Sequence, residues 1–322
     1  MYDVVIIGAG PVGLSAAIAA SRKKLNCLVL EKGALVNSIL HYPVNMTFLS
    51  STNDIEIGEI PFTCPSLKAS RREALIYYRK VTDYFKLNIR LGAHVTDIKK
   101  DKEIFHVILK GGEAVRTKNV VVATGDFDHP NKLGIPGEDL PKVTNYYREG
   151  HIYYKKNVVV VGASNSGVET ALDILRSGGR VTLVHRGEWL DDHVKDWVVP
   201  DIENRIGFGE IEVFFNSHLT RIDVETVTIA DKDGKETVIN NDAVVLQIGY
   251  HPDLSLLKKA GVSIKGEYSM PEHNKETLET NVKNLYIAGC LTVGNESNRI
   301  FIHNGRFHGE KILSAIEKTI AK

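Results

Sequence analysis

Apolar positions along the chain fall into two patterns. Short continuous runs, Val4-Val5-Ile6-Ile7, Cys27-Leu28-Val29-Leu30, Val120-Val121-Val122-Ala123, Val158-Val159-Val160-Val161 and Val181-Thr182-Leu183-Val184, have the length and β-branched content of strands buried on both faces. Residues 95–110, 114–123, 211–215, 221–231 and 236–248 instead alternate apolar and polar around Gly111-Gly112 and Asp233-Gly234, which predicts antiparallel β-meanders. Charged clusters at 99–102 and 231–235 read as solvated hairpin turns. Helical spacing follows the glycine loops at 8–13 and 162–167, returns at 67–85 within an insertion over residues 33–82, and closes the chain at 305–320. One late strand is expected at 285–288.

These elements repeat. Gly8 and Gly162, Gly13 and Gly167, and Glu31 and His185 are each separated by 154 positions, so a strand–glycine loop–helix–strand unit occurs twice in register. The expected fold class is α/β, with two Rossmann-like nucleotide-binding domains of three-layer ββα form, the second inserted in the first. The first domain takes residues 1–128 and 251–322, because the late strand returns to its sheet; the second takes 129–250.

The 322 residues, 43% hydrophobic and 25% charged, are those of a globular chain long enough for two cores. Forty basic side chains balance forty acidic ones, which gives no reason to expect nucleic acid or an anionic membrane as partner. The apolar stretch at 4–20 follows Asp3 and is broken by Gly8, Gly10, Pro11 and Gly13, so it reads as a buried strand and helix, not as a signal peptide or membrane span. Cys27, Cys64 and Cys290 form no C-x-x-C, which argues against a disulfide framework, structural zinc or a redox dithiol, and a reducing cytoplasm is the expected compartment. The histidines show no metal spacing, so no metal is expected.

Gly8-Ala9-Gly10-Pro11-Val12-Gly13 follows a strand and opens a helix, the context that makes a glycine motif a dinucleotide loop. The first glycine permits the turn, the second admits a pyrophosphate, and the third lets helix and strand pack, while helix N–H groups face the anion. Glu31 ends the next strand, where a carboxylate accepts from ribose hydroxyls and repels a 2′-phosphate, so this loop is expected to hold FAD or NAD. The second loop has Ser164 at the middle position and His185-Arg186 at the strand end. A guanidinium there suits the 2′-phosphate of NADPH, with Arg180 and Lys195 as further positive charge. Two nucleotide sites in one chain imply hydride transfer from nicotinamide to a bound flavin.

With Ala123-Thr124-Gly125, residues 162–171 (GASNSGVETA), His185-Arg186 and residues 285–289 (LYIAG), the chain resembles the low-molecular-weight thioredoxin reductases over almost its whole length. Within that superfamily His41-Tyr42-Pro43, residues 47–51, 248–253 and 300–309, and Asn274-Lys275-Glu276-Thr277 are similar to the bacillithiol-disulfide-reductase branch. The resemblance implies FAD on Gly8, Gly10, Pro11, Val12, Gly13, Glu31, Lys32, Tyr42, Ser51, Val95, Ala123, Thr124, Gly125, Gly289 and Cys290. It implies NADPH on Gly162, Ser164, Asn165, Ser166, Gly167, His185, Arg186 and Gly249, and a homodimer or higher homo-oligomer.

Three departures bear on the chemistry. The thioredoxin reductase C-x-x-C is absent, the cysteine that bacillithiol-disulfide reductases carry in the first glycine loop is Val12, and the acid that commonly follows the last Ala-Gly is Cys290. Cys290 is either a thiol activated by a helix dipole beside the flavin or a small buried apolar residue. Cys27 reads as core and Cys64 as an inert loop thiol. His303 and His308 flank the start of the last helix, where each can neutralise reduced flavin, deliver a proton or make a structural hydrogen bond.

The expected function is NADPH-dependent electron transfer through FAD to a small disulfide of the bacillithiol-disulfide type or to another acceptor, such as a redox protein. Alternatives are a ferredoxin (or flavodoxin)–NADP reductase, a flavin monooxygenase, faintly echoed by Phe127 and His129-Pro130, and a non-enzymatic redox sensor.

Overall fold

The computed structural model describes residues 1–320 and divides into two compact units. The first comprises Met1–Leu40, Met46–His129 and the chain from Tyr250 onward; the second comprises His41–Asn45 and Pro130–Gly249. The short segment His41–Asn45 thus leaves the first unit, where contiguity had placed it, because Val44 N–H donates to the Arg148 carbonyl at 2.8 Å.

In the first unit strand Tyr2–Ile7 runs parallel between Cys27–Leu30 and Ala114–Val122. Ala114–Val122 does two jobs. Its first half pairs antiparallel with Ile104–Leu109, itself paired with Val95–Asp101, and its last residues pair parallel with the late strand Leu285–Ile287. The hairpin turns at Lys102, in the left-handed region at φ 53°. One face of the sheet buries Val5, Ile7, Leu28, Leu30, Phe105, Val107 and Ile287. Alternation sends Val4 and Ile6 to the other face, where helix Pro11–Arg22 packs against closing helix His308–Ile320. Their close approach depends on Gly309, since a Cβ there would strike the Ala16 backbone. Each fully buried aliphatic side chain of this kind contributes about 1.5–3 kcal/mol. The insertion supplies helix Arg71–Tyr84, started by a capping box in which Ser70 and Glu73 exchange side-chain-to-backbone bonds.

The second unit holds a five-stranded parallel sheet in the order Ile211–Phe214, Arg180–Val184, Asn157–Val161, Ala243–Leu246, Val143–Thr144. A separate antiparallel sheet is formed by Ser217–Ile222, Thr226–Asp231 and Glu236–Asn240. This differs from the meander expected over 211–248. Ile211–Phe214 is the parallel edge strand, Asp223–Glu225 break the run at 221–231, and residues 241–242 divide 236–248 into a ribbon strand and a central strand. The edge position explains the misreading: with one flank open, Glu212 is exposed and Ile211 buried, which imitates a half-solvated ribbon.

Candidate functional site

The first glycine loop shows a division of labour among its glycines. Gly8 lies at φ 107°, and a side chain there would collide with the Ala123 carbonyl. A Cβ on Gly13 would collide with the Gly8 carbonyl, which is how the helix seats on the strand. Gly10 differs: its φ is −73°, and nothing lies within 4 Å of an added Cβ. This open space sits at the uncapped N-terminus of helix Pro11–Arg22, whose first turn carries no acid. Pro11 has no N–H and Leu14 N–H bonds back to Gly10, so Val12 and Gly13 are the amides that face outward. The cradle fits a pyrophosphate.

Glu31 is 6% exposed, and its two carboxylate oxygens accept from Ala9 N–H and Gly33 N–H, each at 2.8 Å. The carboxylate is thereby fixed, and each oxygen retains a lone pair for a ribose hydroxyl. Lys32 forms an ion pair with Asp128 at 2.8 Å. The Ser51 hydroxyl donates to Asp54 at 2.6 Å. Val95 is buried among the core residues, so its side chain serves packing. Tyr42 belongs to the segment grouped with the second unit. Ala123 joins the sheet by bonding to Ile7, and Gly125, at φ 74°, makes the turn beyond Thr124.

Around the late strand the surroundings of Cys290 and His308 separate readings that the sequence leaves open. Of the two readings of Cys290, its surroundings favour the small buried residue: burial pushes its pKa up, and the Asp126 carboxylate, accepting its S–H, pushes it further. The turn after Leu285–Ile287 is a 3-10 helix of five residues, and the backbone amides of Cys290 and Leu291 oppose the rise by less than burial and Asp126 produce it. Burial likewise raises Cys27 to about 12. For His308 the structural hydrogen bond is favoured over a positive charge, since burial lowers its pKa to about 4, aided by Lys311 and His273. Its Nδ1 accepts from Gly289 N–H at 3.1 Å, so the neutral ring carries its proton on Nε2. His303 is exposed and stacked on Phe301, with centroids 5.7 Å apart. Val12 fills the gap beside two glycines: a Cβ on Gly289 would lie 3.7 Å from its side chain and one on Gly305 3.0 Å. Two participants were not foreseen. Asp126 carried only the signal of an acid after Thr124-Gly125. Arg306 reaches back to the carbonyls of Asn53 and Glu56, each at 2.7 Å, and had no signal of its own within the segment 300–309.

The second glycine loop repeats the first in stereochemistry. Gly162 stands at φ 104° against the Gln247 carbonyl, and Gly167 seats on Gly162. Ser164 is the N-cap of helix Asn165–Arg176 but makes no side-chain cap bond. Val168 N–H bonds to Ser164, so the outward amides include those of Ser166 and Gly167. Asn165 spends its side chain locally: its Nδ2 donates to the His193 carbonyl at 2.7 Å, and its Oδ1 accepts from Lys195 N–H at 3.0 Å. The loop after His185 is held to the glycine loop, with Asp191 N–H donating to Ala163. Arg186 is exposed at the strand end, while burial lowers the His185 pKa, with Asp191 opposing and Arg186 assisting. Arg180 belongs elsewhere: it begins the strand that His185 follows and bonds to Asn157 and Lys155, at the end away from the glycine loop. Gly249, at φ 84°, accepts from Asn131 N–H at 3.0 Å.

Residues 5–289 match the family model described as pyridine nucleotide-disulphide oxidoreductase. The chain is 43% identical over 314 residues to bacilliredoxin reductase Bdr of Bacillus subtilis, covering 98% of this chain and 97% of the relative. Among solved structures it is similar to the bacillithiol disulfide reductase Bdr (YpdA) of Staphylococcus aureus, at 38% identity and TM-score 0.95 over 99% of this chain and 98% of that one. The Bacillus cereus protein of the same name is 41% identical at TM-score 0.95, with 99% of each chain covered. The chain belongs to the pyridine nucleotide-disulphide oxidoreductases, as an oxidoreductase of their FAD- and NADPH-dependent, thioredoxin-reductase-like type.

Proposed function

We propose that the protein takes two electrons from NADPH, passes them through FAD, and reduces a small disulfide of the bacillithiol-disulfide type. One observation carries the reading. Each unit presents a helix N-terminus with outward amides behind a glycine turn, but a fixed carboxylate closes one loop and an arginine the other. The first unit would hold FAD on the space at Gly10, the amides of Val12 and Gly13, and Glu31. The second would hold NADPH on Ser164, the amides of Ser166 and Gly167, and Arg186. FAD, when bound, supplies a two-electron relay between nicotinamide and acceptor.

The disulfide as acceptor is supported by the names of the relatives at 43%, 38% and 41% identity. The balance is one NADPH, one proton and one disulfide giving NADP+ and two thiols. Position 12 is valine and can form no mixed disulfide with the substrate, and burial beside the Asp126 carboxylate makes a Cys290 thiolate scarce, which favours reduction without a protein thiol. Exposed Phe301 and Phe307 offer a second copy an apolar surface, in keeping with a homodimer, and three free cysteines suit a reducing cytoplasm.

The test is NADPH oxidation by the purified flavoprotein with bacillithiol disulfide, oxidised bacilliredoxin, oxidised thioredoxin or ferredoxin. Turnover with the bacillithiol-type disulfides and none with thioredoxin is expected. Turnover with ferredoxin alone would overturn the reading.

A further inference from the structure

We propose that Trp189, backed by Phe215, is the platform on which the adenine ring of NADPH stacks. The inference rests on the reading of the second unit as the NADPH site and adds a residue to it. In an open parallel sheet a nucleotide lies beyond the carboxyl ends of the strands. Here the ends of two neighbouring strands, Arg180–Val184 and Ile211–Phe214, are laced together past their last paired residues. His185 N–H donates to Phe214 at 2.9 Å, Asn216 N–H to Gly187 at 2.8 Å, and Ser217 N–H to His185 at 3.0 Å. This lacing sets Phe215 beside the His185-Arg186-Gly187 turn.

Gly187 gives the His185 ring room, since Nε2 of that ring lies 2.7 Å from the position of an added Cβ. Two residues on, Trp189 leans on Phe215 with ring centroids 4.9 Å apart and planes tilted by 42°, yet the residue remains 47% exposed. Phe215 is packed against the core beneath it, so the indole has a fixed backing. Its neighbours Leu190 and Val194 are 7% and 6% exposed, and Asp191 and Asn165 tie the same loop to the glycine loop. A rigid, half-exposed indole on an anchored loop costs little ordering when a ring settles on it. The chemistry of the ligand supplies the match. Adenine is attached to the ribose carbon next to the one bearing the 2′-phosphate, so a base whose phosphate meets Arg186 has its flat face available to the aromatic three residues away.

The chain has two tryptophans, Trp189 and Trp197, which makes the inference readable by fluorescence as well as by affinity. In a Trp197→Phe variant, titration with 2′,5′-ADP should quench the remaining Trp189 emission. By calorimetry, Trp189→Ala should weaken NADP+ and NAD+ by the same factor of about ten, the lower range of base–aromatic stacking. Trp189→Phe should restore most of the loss. A Trp189→Ala protein that binds both nucleotides like wild type would overturn the platform. So would Trp189 emission that stays constant while calorimetry registers 2′,5′-ADP binding. Failure of wild type to bind 2′,5′-ADP at all would remove the NADPH site itself, and the platform with it.

Discussion

The amide of Gly289 donates to Nδ1 of His308 at 3.1 Å, joining the turn after the late strand to the first residue of the closing helix. The bond demands a neutral acceptor nitrogen, and burial lowers His308 to about 4, against an ordinary value of 6.5. Between those values the unfolded chain binds a proton that the folded chain refuses. The stabilisation is therefore complete above pH 6.5 and is lost as pH falls toward 4, at most about 3 kcal/mol in all. Asparagine keeps an acceptor and cannot titrate. Urea unfolding of His308→Asn should match wild type at pH 8 and exceed it in stability at pH 5. Parallel pH profiles for the two proteins would refute the assignment.

What could be read from the sequence follows from how far apart the interacting parts lie. The glycine loops, Glu31 and Arg186 belong to a strand–loop–helix–strand unit whose parts are neighbours in the chain, so their spacing carries their geometry. Cys290 and Asp126 lie 164 positions apart, and no local pattern shows that a carboxylate accepts from that thiol. Arg180 was misplaced for a related reason: its nearness to Arg186 in sequence hides the fact that one begins the strand and the other follows its end. Trp189 carries no sequence signal of its own, because Phe215, the ring it leans on, directly follows the neighbouring strand of the sheet.

The glycines of the first loop should separate folding from binding. Gly10 has an ordinary φ and open space, so Gly10→Val should fold, melt at the temperature of flavin-free wild type, and emerge without flavin colour. Gly13→Ala presses on the Gly8 carbonyl and should lose about 1–3 kcal/mol of stability as well as flavin. Absorbance at 450 nm and thermal melts of both variants decide it. A yellow Gly10→Val protein would mean that the space at Gly10 is not where the pyrophosphate lies.

Arg186→Ala should weaken NADPH by tenfold or more and leave NADH nearly unchanged. A charge-assisted hydrogen bond is worth about 1.5–3 kcal/mol, which covers that ratio. His185 is pushed toward the neutral form by burial, so it adds less of the charge that a 2′-phosphate needs. Dissociation constants for both nucleotides provide the check, and an equal loss for each would show that Arg186 does not read the 2′-phosphate.

Cys290 should prove a poor nucleophile. Burial and the Asp126 carboxylate both raise its pKa, so the thiolate needed for exchange is scarce at neutral pH. Alkylation by iodoacetamide at pH 7.5 should therefore be much slower at Cys290 than at Cys64, which bonds to the Ser66 carbonyl in a partly exposed loop. Replacing Asp126 with asparagine removes the negative charge while keeping an acceptor, and should quicken alkylation of Cys290 without affecting Cys64. The catalytic consequence is sharper. If the disulfide is reduced with no protein thiol attacking it, Cys290→Ser keeps wild-type turnover with bacillithiol disulfide, because serine can still donate to Asp126. A serine variant that binds flavin normally, oxidises NADPH with a quinone, and yet fails with the disulfide would show that the thiol attacks the substrate after all, and that turnover reaches a state in which Cys290 loses its proton.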